Sequence, residues 1–503
     1  MRTPALATRS HLDDPVPPAW GPRRPGGGRA VHVATGMDYQ ATTAQACGLF
    51  PFTAGSGAPM LGIPIGRHQL WGQVVCLDPL EWLNHGLVTN PGVFVLGQPG
   101  VGKSTIVKRL ITGMTACGTQ ALIIGDTKPD YTGLVEFLGG QVIRAGRGMD
   151  RINPLDSGPL AAARARMSGT DADKLRLEIR GRRMSLLLAL CALVRRQPLS
   201  NNEEIVLGRA VNLLTDRLAA DPTVPDVLRL VEQGPDELVS AARSPDQARY
   251  HQRVDQLAAS LALLCEGSLA GAFDGPTSTG IDLAAPAISV DISRVQAAGD
   301  TLLAAAMLCT WAWGFGAVDA AGVLAEQQLA PRRRWLGVMD ELWRALRGAS
   351  GLVDHADALT RLNRQRGMAT IMVTHGLADL DALPTAEDVA KAHGFMERCA
   401  VKIFGAVPHS ELDRICEVVR LTGPERDLVA SWAAPEGYTT GGVHPGRGRY
   451  LIKNGERVGL PVSLHLMADE IALYDTDAAV REQPQPAGRH QARSASQLTE
   501  TSR

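Results

Sequence analysis

The chain has 503 residues, with 51 Lys and Arg set against 52 Asp and Glu. That length allows a large core with one or two appended units, and the near-zero net charge excludes a global basic field for holding nucleic acid. The eight cysteines form no C-x-x-C pair, which argues against a cysteine metal site or a disulfide framework and for reduced thiols.

Residues 1–40 are rich in Pro, Gly and Arg, with PVPPAWGPRRPGGGR at their centre. They hold too little apolar surface to order themselves and are expected to be a disordered tail. No apolar signal-peptide segment appears in the first thirty residues. From about 60 to 80, LGIPIGRHQLWGQVVCLD alternates in a way that predicts short strands joined by glycine turns.

Val93-Phe94-Val95-Leu96 then reads as a buried strand, and the stretch after the next turn, through Met114, as a helix. Between them stands Gly97-Gln98-Pro99-Gly100-Val101-Gly102-Lys103-Ser104, which fits G-x-x-x-x-G-K-[ST] in the strand–loop–helix context that this phosphate-cradling loop (Walker A) requires. A Gly-rich structural turn is the plain alternative. The glycines permit positive φ and close approach of backbone N–H groups to phosphate. Lys103 is expected to reach the β and γ phosphates of a nucleoside triphosphate, and Ser104 to give a hydroxyl to Mg2+. Thr105 adds a second hydroxyl, suited to solvating the helix start.

Gln120–Gly125 predicts a second buried strand ending at Asp126, and Gln141-Val142-Ile143-Arg144 a third. From 157 to 272 apolar residues recur at helical spacing (Leu187, Leu190, Val194; Leu257, Leu261, Leu264) and strand signals vanish, predicting a mostly helical insertion. The run Arg176, Arg180, Arg182, Arg183 and the triplet Arg332-Arg333-Arg334 read as solvated faces rather than nucleic-acid patches. Ile288–Ile292 resumes the strand pattern. The uncharged stretch Leu302–Val318 is short of the ~20 residues of a membrane span and reads as a helix packed on a sheet, so no transmembrane segment is expected.

Trp335–Met339 is an apolar strand that ends in Asp340-Glu341. With a P-loop upstream, Asp340 is expected to hold the Mg2+ shell (Walker B), and Glu341 to orient or deprotonate the attacking water. The pair also fits a helix N-cap. Met368–Val373 is another buried strand with Thr374-His375 at its tip, where a polar side chain can sense the γ phosphate or cap the next helix. Arg361, Arg364 and Arg366 precede that strand; Arg364 first, then Arg366, are the candidates for an arginine finger offered across a subunit boundary, against the alternative of an exposed basic face. Near the end, Tyr450–Lys453 and Arg457–Leu464 flank Asn454-Gly455, predicting a type I′ hairpin. Residues 478–503 read as a second disordered tail. The organisation expected is therefore a core at 41–156 and 273–477, split by the insertion at 157–272.

Several segments in order resemble the secretion-energising ATPase of conjugative type IV secretion systems, within the FtsK–HerA superfamily of RecA-like motors. These are the lead-in Gly92–Gly100, the run Asp126-Thr127-Lys128-Pro129-Asp130-Tyr131 (the family's D-x-x-x-E-Y), and Gly139-Gly140 through Asn153-Pro154-Leu155-Asp156 (G-G…N-P-L-D). Phe273-Asp274-Gly275-Pro276-Thr277-Ser278, Asp340-Glu341-Leu342-Trp343 (D-E-x-W) and Gly448-Arg449-Tyr450-Leu451 complete the set. The likeness covers about 45 to 477. It implies an α/β fold with a RecA-like P-loop ATPase core carrying an inserted helical subdomain, a homo-hexamer with ATP and Mg2+ at subunit boundaries, and Asp126 and Asp130 near the phosphates or behind the metal.

The function it implies is ATP hydrolysis that powers assembly or substrate transfer at the cytoplasmic base of a channel. Other secretion-channel proteins are then partners, DNA stays open as a partner, and the location is cytoplasmic, including the inner face of the membrane. Three departures stand out. His375 replaces the usual glutamine with a residue type whose charge changes near neutral pH. Asp130 replaces a glutamate. Little precedes residue 45, so a channel-docking N-terminal domain is expected on a separate chain. Two other readings compete: a DNA-translocating or coupling-protein motor, and a nucleotide-dependent assembly scaffold with negligible turnover.

Overall fold

The computed structural model describes residues 58–474, apart from 219, 267–268, 349–352, 354–355, 358–362 and 434–443. The two expected tails and Arg361 lie outside the described residues.

The described strands form one sheet of eleven, ordered β2-β1-β11-β10-β9-β3-β8-β7-β4-β6-β5. In chain order they are β1 (Ile63–His68), β2 (Val74–Leu77), β3 (Gly92–Leu96), β4 (Thr119–Asp126), β5 (Gln141–Arg144) and β6 (Ala287–Asp291). They continue with β7 (Arg334–Met339), β8 (Met368–Thr374), β9 (Val401–Phe404), β10 (Arg449–Asn454) and β11 (Leu460–Leu464). From β9 to β5 every neighbouring pair is parallel, whereas β10, β11, β1 and β2 join antiparallel.

Parallel strands are covered on both faces, which is why β3, β4 and β6 are buried along their whole length and read as unbroken apolar runs. Alternate residues feed two cores. Phe94, Leu96, Leu122 and Ile124 point into one, with the Asp300–Glu326 helix and the inserted helices. Val93, Val95, Ala121 and Ile123 point into the other, with the Lys103–Ala116 helix. The Asp300–Glu326 helix passes a length and hydropathy test for a membrane span, yet 78% of its most apolar window is buried inside the fold. Gly314 on that helix faces Ile124, whose side-chain carbons would lie 3.2 Å from an added Cβ, so the helix sits close to the sheet there.

Between β5 and β6 run helices from Pro159–Ala165 through Gln247–Cys265. The segment that follows β5 locks them to the sheet. Asn153 Nδ2 donates to Pro222 O (3.0 Å), Arg183 Nε to Leu155 O (2.7 Å), and the Ser157 hydroxyl to Asp221. The arginine run is a solvated face only in part. Arg176 is exposed and shares Asp216 with Arg180, Arg182 binds Glu178 on its own helix and Asp319 on the Asp300–Glu326 helix, and Arg183 is buried against Asp221. Arg334 likewise lies against Asp78 (3.7 Å) and Glu81.

The C-terminal hairpin also differs from expectation. Asn454 remains in β10, paired with Val401 and donating from Nδ2 to Leu87 O (3.0 Å), and only Gly455 takes positive φ. A type I′ turn needs positive φ at both central residues. The sheet neighbour holds Asn454 extended, so residues 455–459 make the connection instead.

Candidate functional site

Parallel β3, β4, β7 and β8 all end on the same edge of the sheet, where open α/β sheets place their ligands. The turn after β3 is fixed tightly. Gly100 and Gly102 have φ of 83° and 96°. The Tyr450 hydroxyl donates to Gly102 O (2.7 Å), Gly448 N to Val101 O (3.1 Å) and Gln98 N to Ala406 O (3.0 Å). A Cβ on Gly102 would stand 2.8 Å from the Tyr450 oxygen. The cap residue Gly102 has no side chain to bond the first turn of the Lys103–Ala116 helix, which leaves N–H donors and the positive end of the helix dipole for an anion.

Lys103 is buried, and its three ammonium donors meet Gly97 O (2.7 Å), Gln98 O (3.2 Å) and His375 Nδ1 (2.8 Å). An ammonium only donates, so Nδ1 accepts and the ring proton sits on Nε2. That Nε2 lies 3.3 Å from Glu341 Oε1. Burial pulls the Lys103 pKa from its ordinary 10.5 to about 8, against the attraction of Asp340 and Glu341.

The two acids that end β7 are adjacent in sequence and opposite in character. Burial raises Asp340, whose Oδ1 accepts from Glu341 N (2.9 Å) and Oδ2 from the Tyr131 hydroxyl (2.7 Å). Burial also works against Glu341, yet hydrogen bonds from His375 and Lys128 hold it at about 2. Lys128 Nζ donates to its Oε1 (2.7 Å) and Trp343 Nε1 to its Oε2 (2.6 Å). Glu341 adopts φ of 53°, a left-handed conformation that costs a non-glycine residue about 1–3 kcal/mol and tends to occur at functional sites. Burial raises Asp126 well above the usual carboxylate range and raises Asp130 as well.

These groups share one open cavity of about 200 Å3, lined by Pro99, Gly100, Gly102, Lys103, Ser104, Thr105, Asp126, Asp130, Asp340, Glu341 and His375 together with Thr127, Lys128, Arg447 and Tyr474. Gly97 lies beneath, where an added Cβ would stand 3.3 Å from Gly405 N, and Val101 is buried in the core. The structure thus brings the sequence candidates from the P-loop and the ends of β4, β7 and β8 together. Ser104 and Asp340 offer hard oxygen donors of the kind Mg2+ takes. Among the described residues no group of three or more His, Cys, Asp or Glu side chains is placed to hold a metal ion.

The arginines are placed elsewhere. Arg364 is exposed on the short Asn363–Arg366 helix, at the opposite end of β8 from His375, about 20 Å away at strand rise. Arg366 is held by Asp319 through Nε and Nη2 (2.9 Å) and packs over Phe315. Sequence reasoning gave no role to Lys128, Tyr131 and Trp343, though all three sit in the quoted D-T-K-P-D-Y and D-E-L-W runs. It missed Arg447 and the Tyr450 contact altogether; nothing local signals either, because both depend on a hairpin reaching back to the P-loop.

No family model and no curated protein matches the chain. Among solved structures it is similar to VirB4 of Thermoanaerobacter pseudethanolicus, with a TM-score of 0.60 and 20% identity over 83% of this chain and 100% of that one. The plasmid coupling protein TrwB in complex with ADP and Mg2+ aligns with a TM-score of 0.46 and 11% identity, over 75% and 86%. The VirB4 likeness, with the sheet and the strand–turn–helix unit after β3, establishes a RecA-like α/β fold.

Proposed function

We propose that this chain is an ATP-hydrolysing motor of a conjugative type IV secretion system, working as a homo-hexamer at the cytoplasmic base of the channel. One observation carries the reading: Lys103, Ser104, Asp340, Glu341 and His375 converge on one cavity at the ends of adjoining parallel strands, in a chain whose fold is that of VirB4.

In this reading the N–H groups of residues 100–105 cradle the phosphates, and Lys103 leaves the carbonyls of Gly97 and Gln98 to reach the β and γ groups. Ser104 and Asp340 hold Mg2+, which neutralises charge on the phosphate oxygens. Glu341, kept ionised, orients the attacking water. His375 donates to the γ phosphate once Lys103 has turned away from it. Arg364 lies too far from its own site and serves the neighbouring subunit's.

The test is ATP turnover against protein concentration, with and without DNA, for the wild type and Lys103→Ala. Turnover that rises steeply with assembly and is lost in the variant supports the motor; equal rates in both end it. DNA-stimulated, directional translocation would favour a DNA pump or coupling protein. A second reading, a nucleotide-dependent scaffold, is favoured by the engagement of both Lys103 and Glu341 with His375. ATP binding without turnover in wild type and Glu341→Gln alike would select it.

A further inference from the structure

The turn before β10 carries a cation that the account above leaves unused. Arg447 lines the same cavity as the P-loop and is exposed there. Its backbone is fixed on every side. Arg447 N donates to His444 O (2.9 Å), Gly448 N to Val101 O (3.1 Å), Arg449 N to Gly446 O (3.1 Å) and Leu464 N to Gly448 O (2.8 Å). Gly448 needs φ of 73°, and a Cβ on Gly446 would come within 2.7 Å of Ala406 Cβ and 2.8 Å of Trp432 O. The turn is therefore built to lie against the P-loop, and a long side chain that remains exposed is presented from a rigid base. Burial raises the phenol of Tyr450, and the nearby positive charge of Arg447 partly offsets this, consistent with a guanidinium held close to the loop.

The sheet says which part of a nucleotide it meets. β3 has β8 and then β7 on one side, and β9 and then β10 on the other. β10 runs antiparallel to β9, with Leu451 opposite Phe404, so its start lies on the same edge as the P-loop. Asp340 and Glu341 thus flank the loop on one side and Arg447 on the other. A γ phosphate and metal drawn toward the acids would leave the nucleoside on the side of the loop where Arg447 stands. We propose, on the reading of this cavity as a nucleotide site, that Arg447 is a nucleoside-binding residue whose planar guanidinium stacks on the base of a bound purine nucleotide. Arginine rather than lysine suits this role, because its delocalised, weakly hydrated plane matches an aromatic face.

The experiment measures equilibrium binding of ATP, ADP and inorganic tripolyphosphate, each with Mg2+, to the full chain as wild type, Arg447→Ala and Arg447→Lys. Expected is a loss of about tenfold or more for ATP and ADP alike in Arg447→Ala, little recovery in Arg447→Lys, and unchanged tripolyphosphate affinity. In turnover the loss falls mainly on KM. Unchanged ADP affinity overturns the proposal. So does an equal loss for tripolyphosphate, which would mean a phosphate contact, or a collapse of kcat with ADP binding intact, which would mean a transition-state cation. Failure of the wild type to bind any of the three would instead sink the nucleotide reading itself.

Discussion

His375 stands between Lys103 and Glu341, with Nδ1 2.8 Å from the lysine Nζ and Nε2 3.3 Å from the glutamate Oε1. The side chain at the tip of β8 thus accepts from the P-loop cation and donates to the candidate water-orienting acid. A glutamine can do both, since its amide carries an acceptor oxygen and a donor nitrogen. His375→Gln should therefore keep turnover within several-fold of wild type, whereas His375→Ala, which takes one hydrogen bond from each partner, should lose tenfold or more (roughly 1–3 kcal/mol). Steady-state hydrolysis by the two variants checks this; equal losses would show that the bridge is incidental.

Burial makes the charged form of Lys103 costly. Its pKa is about 8 folded against an ordinary 10.5. The folded state thus binds fewer protons than the unfolded between those values, and stability climbs as pH rises from about 8 to 10.5. Below pH 8 the penalty is present in full, about 3 kcal/mol. Lys103→Met should raise the Tm of the nucleotide-free protein at pH 7, flatten the climb above pH 8 and abolish hydrolysis. Thermal melts at a series of pH values read it; a lower Tm at pH 7 would refute it.

Glu341 has the opposite sign. Its pKa is about 2 folded against an ordinary 4.5, so its contribution is complete above 4.5 and disappears as pH falls toward 2. Glu341→Gln should destabilise the protein at pH 7 by about 3 kcal/mol, with the gap from wild type closing as the solution is acidified. The same variant should bind ATP and fail to turn it over. Denaturant unfolding at pH 7 and pH 3 tests the first part, and a wild-type advantage that persists undiminished on acidification would contradict it.

Arg364 and Arg366 should separate cleanly. Arg364 is exposed, and its replacement by alanine should change stability by no more than about 0.5 kcal/mol. If it acts across a subunit boundary, turnover should fall by about a thousandfold, and mixing Arg364→Ala with Lys103→Ala protein should restore activity in mixed rings. Arg366→Ala leaves the enclosed carboxylate of Asp319 without one of its two cations and should cost about 3 kcal/mol. Absence of rescue in the mixture would remove Arg364 from the site.

What could be read in the sequence follows from burial. β4, β7 and β8 are covered on both faces, so each is a largely apolar run with a polar residue where it emerges, and those residues, Asp126, Asp340 and His375, are the ones the cavity receives; β3 emerges into the glycine turn of the P-loop. β9 escaped notice because it has only four residues and carries Lys402 at its second position, whose ammonium turns aside to Glu397 O (3.2 Å). The turn at Asn454-Gly455 departs from its local signal because the pairing with Val401 is decided by a distant strand. Arg447 was invisible for the same reason: the bond from Gly448 to Val101 joins opposite ends of the chain.

The contact of Arg182 and Arg366 with a common partner, Asp319, has a mechanical meaning. Arg182 belongs to the inserted helix Thr170–Arg195, and Arg366 is two residues from the first residue of β8. One end of β8 is thereby moored to the insertion while its other end carries His375. The insertion and the strand that carries His375 thus share one anion, so loss of the Asp319 carboxylate should loosen both attachments at once.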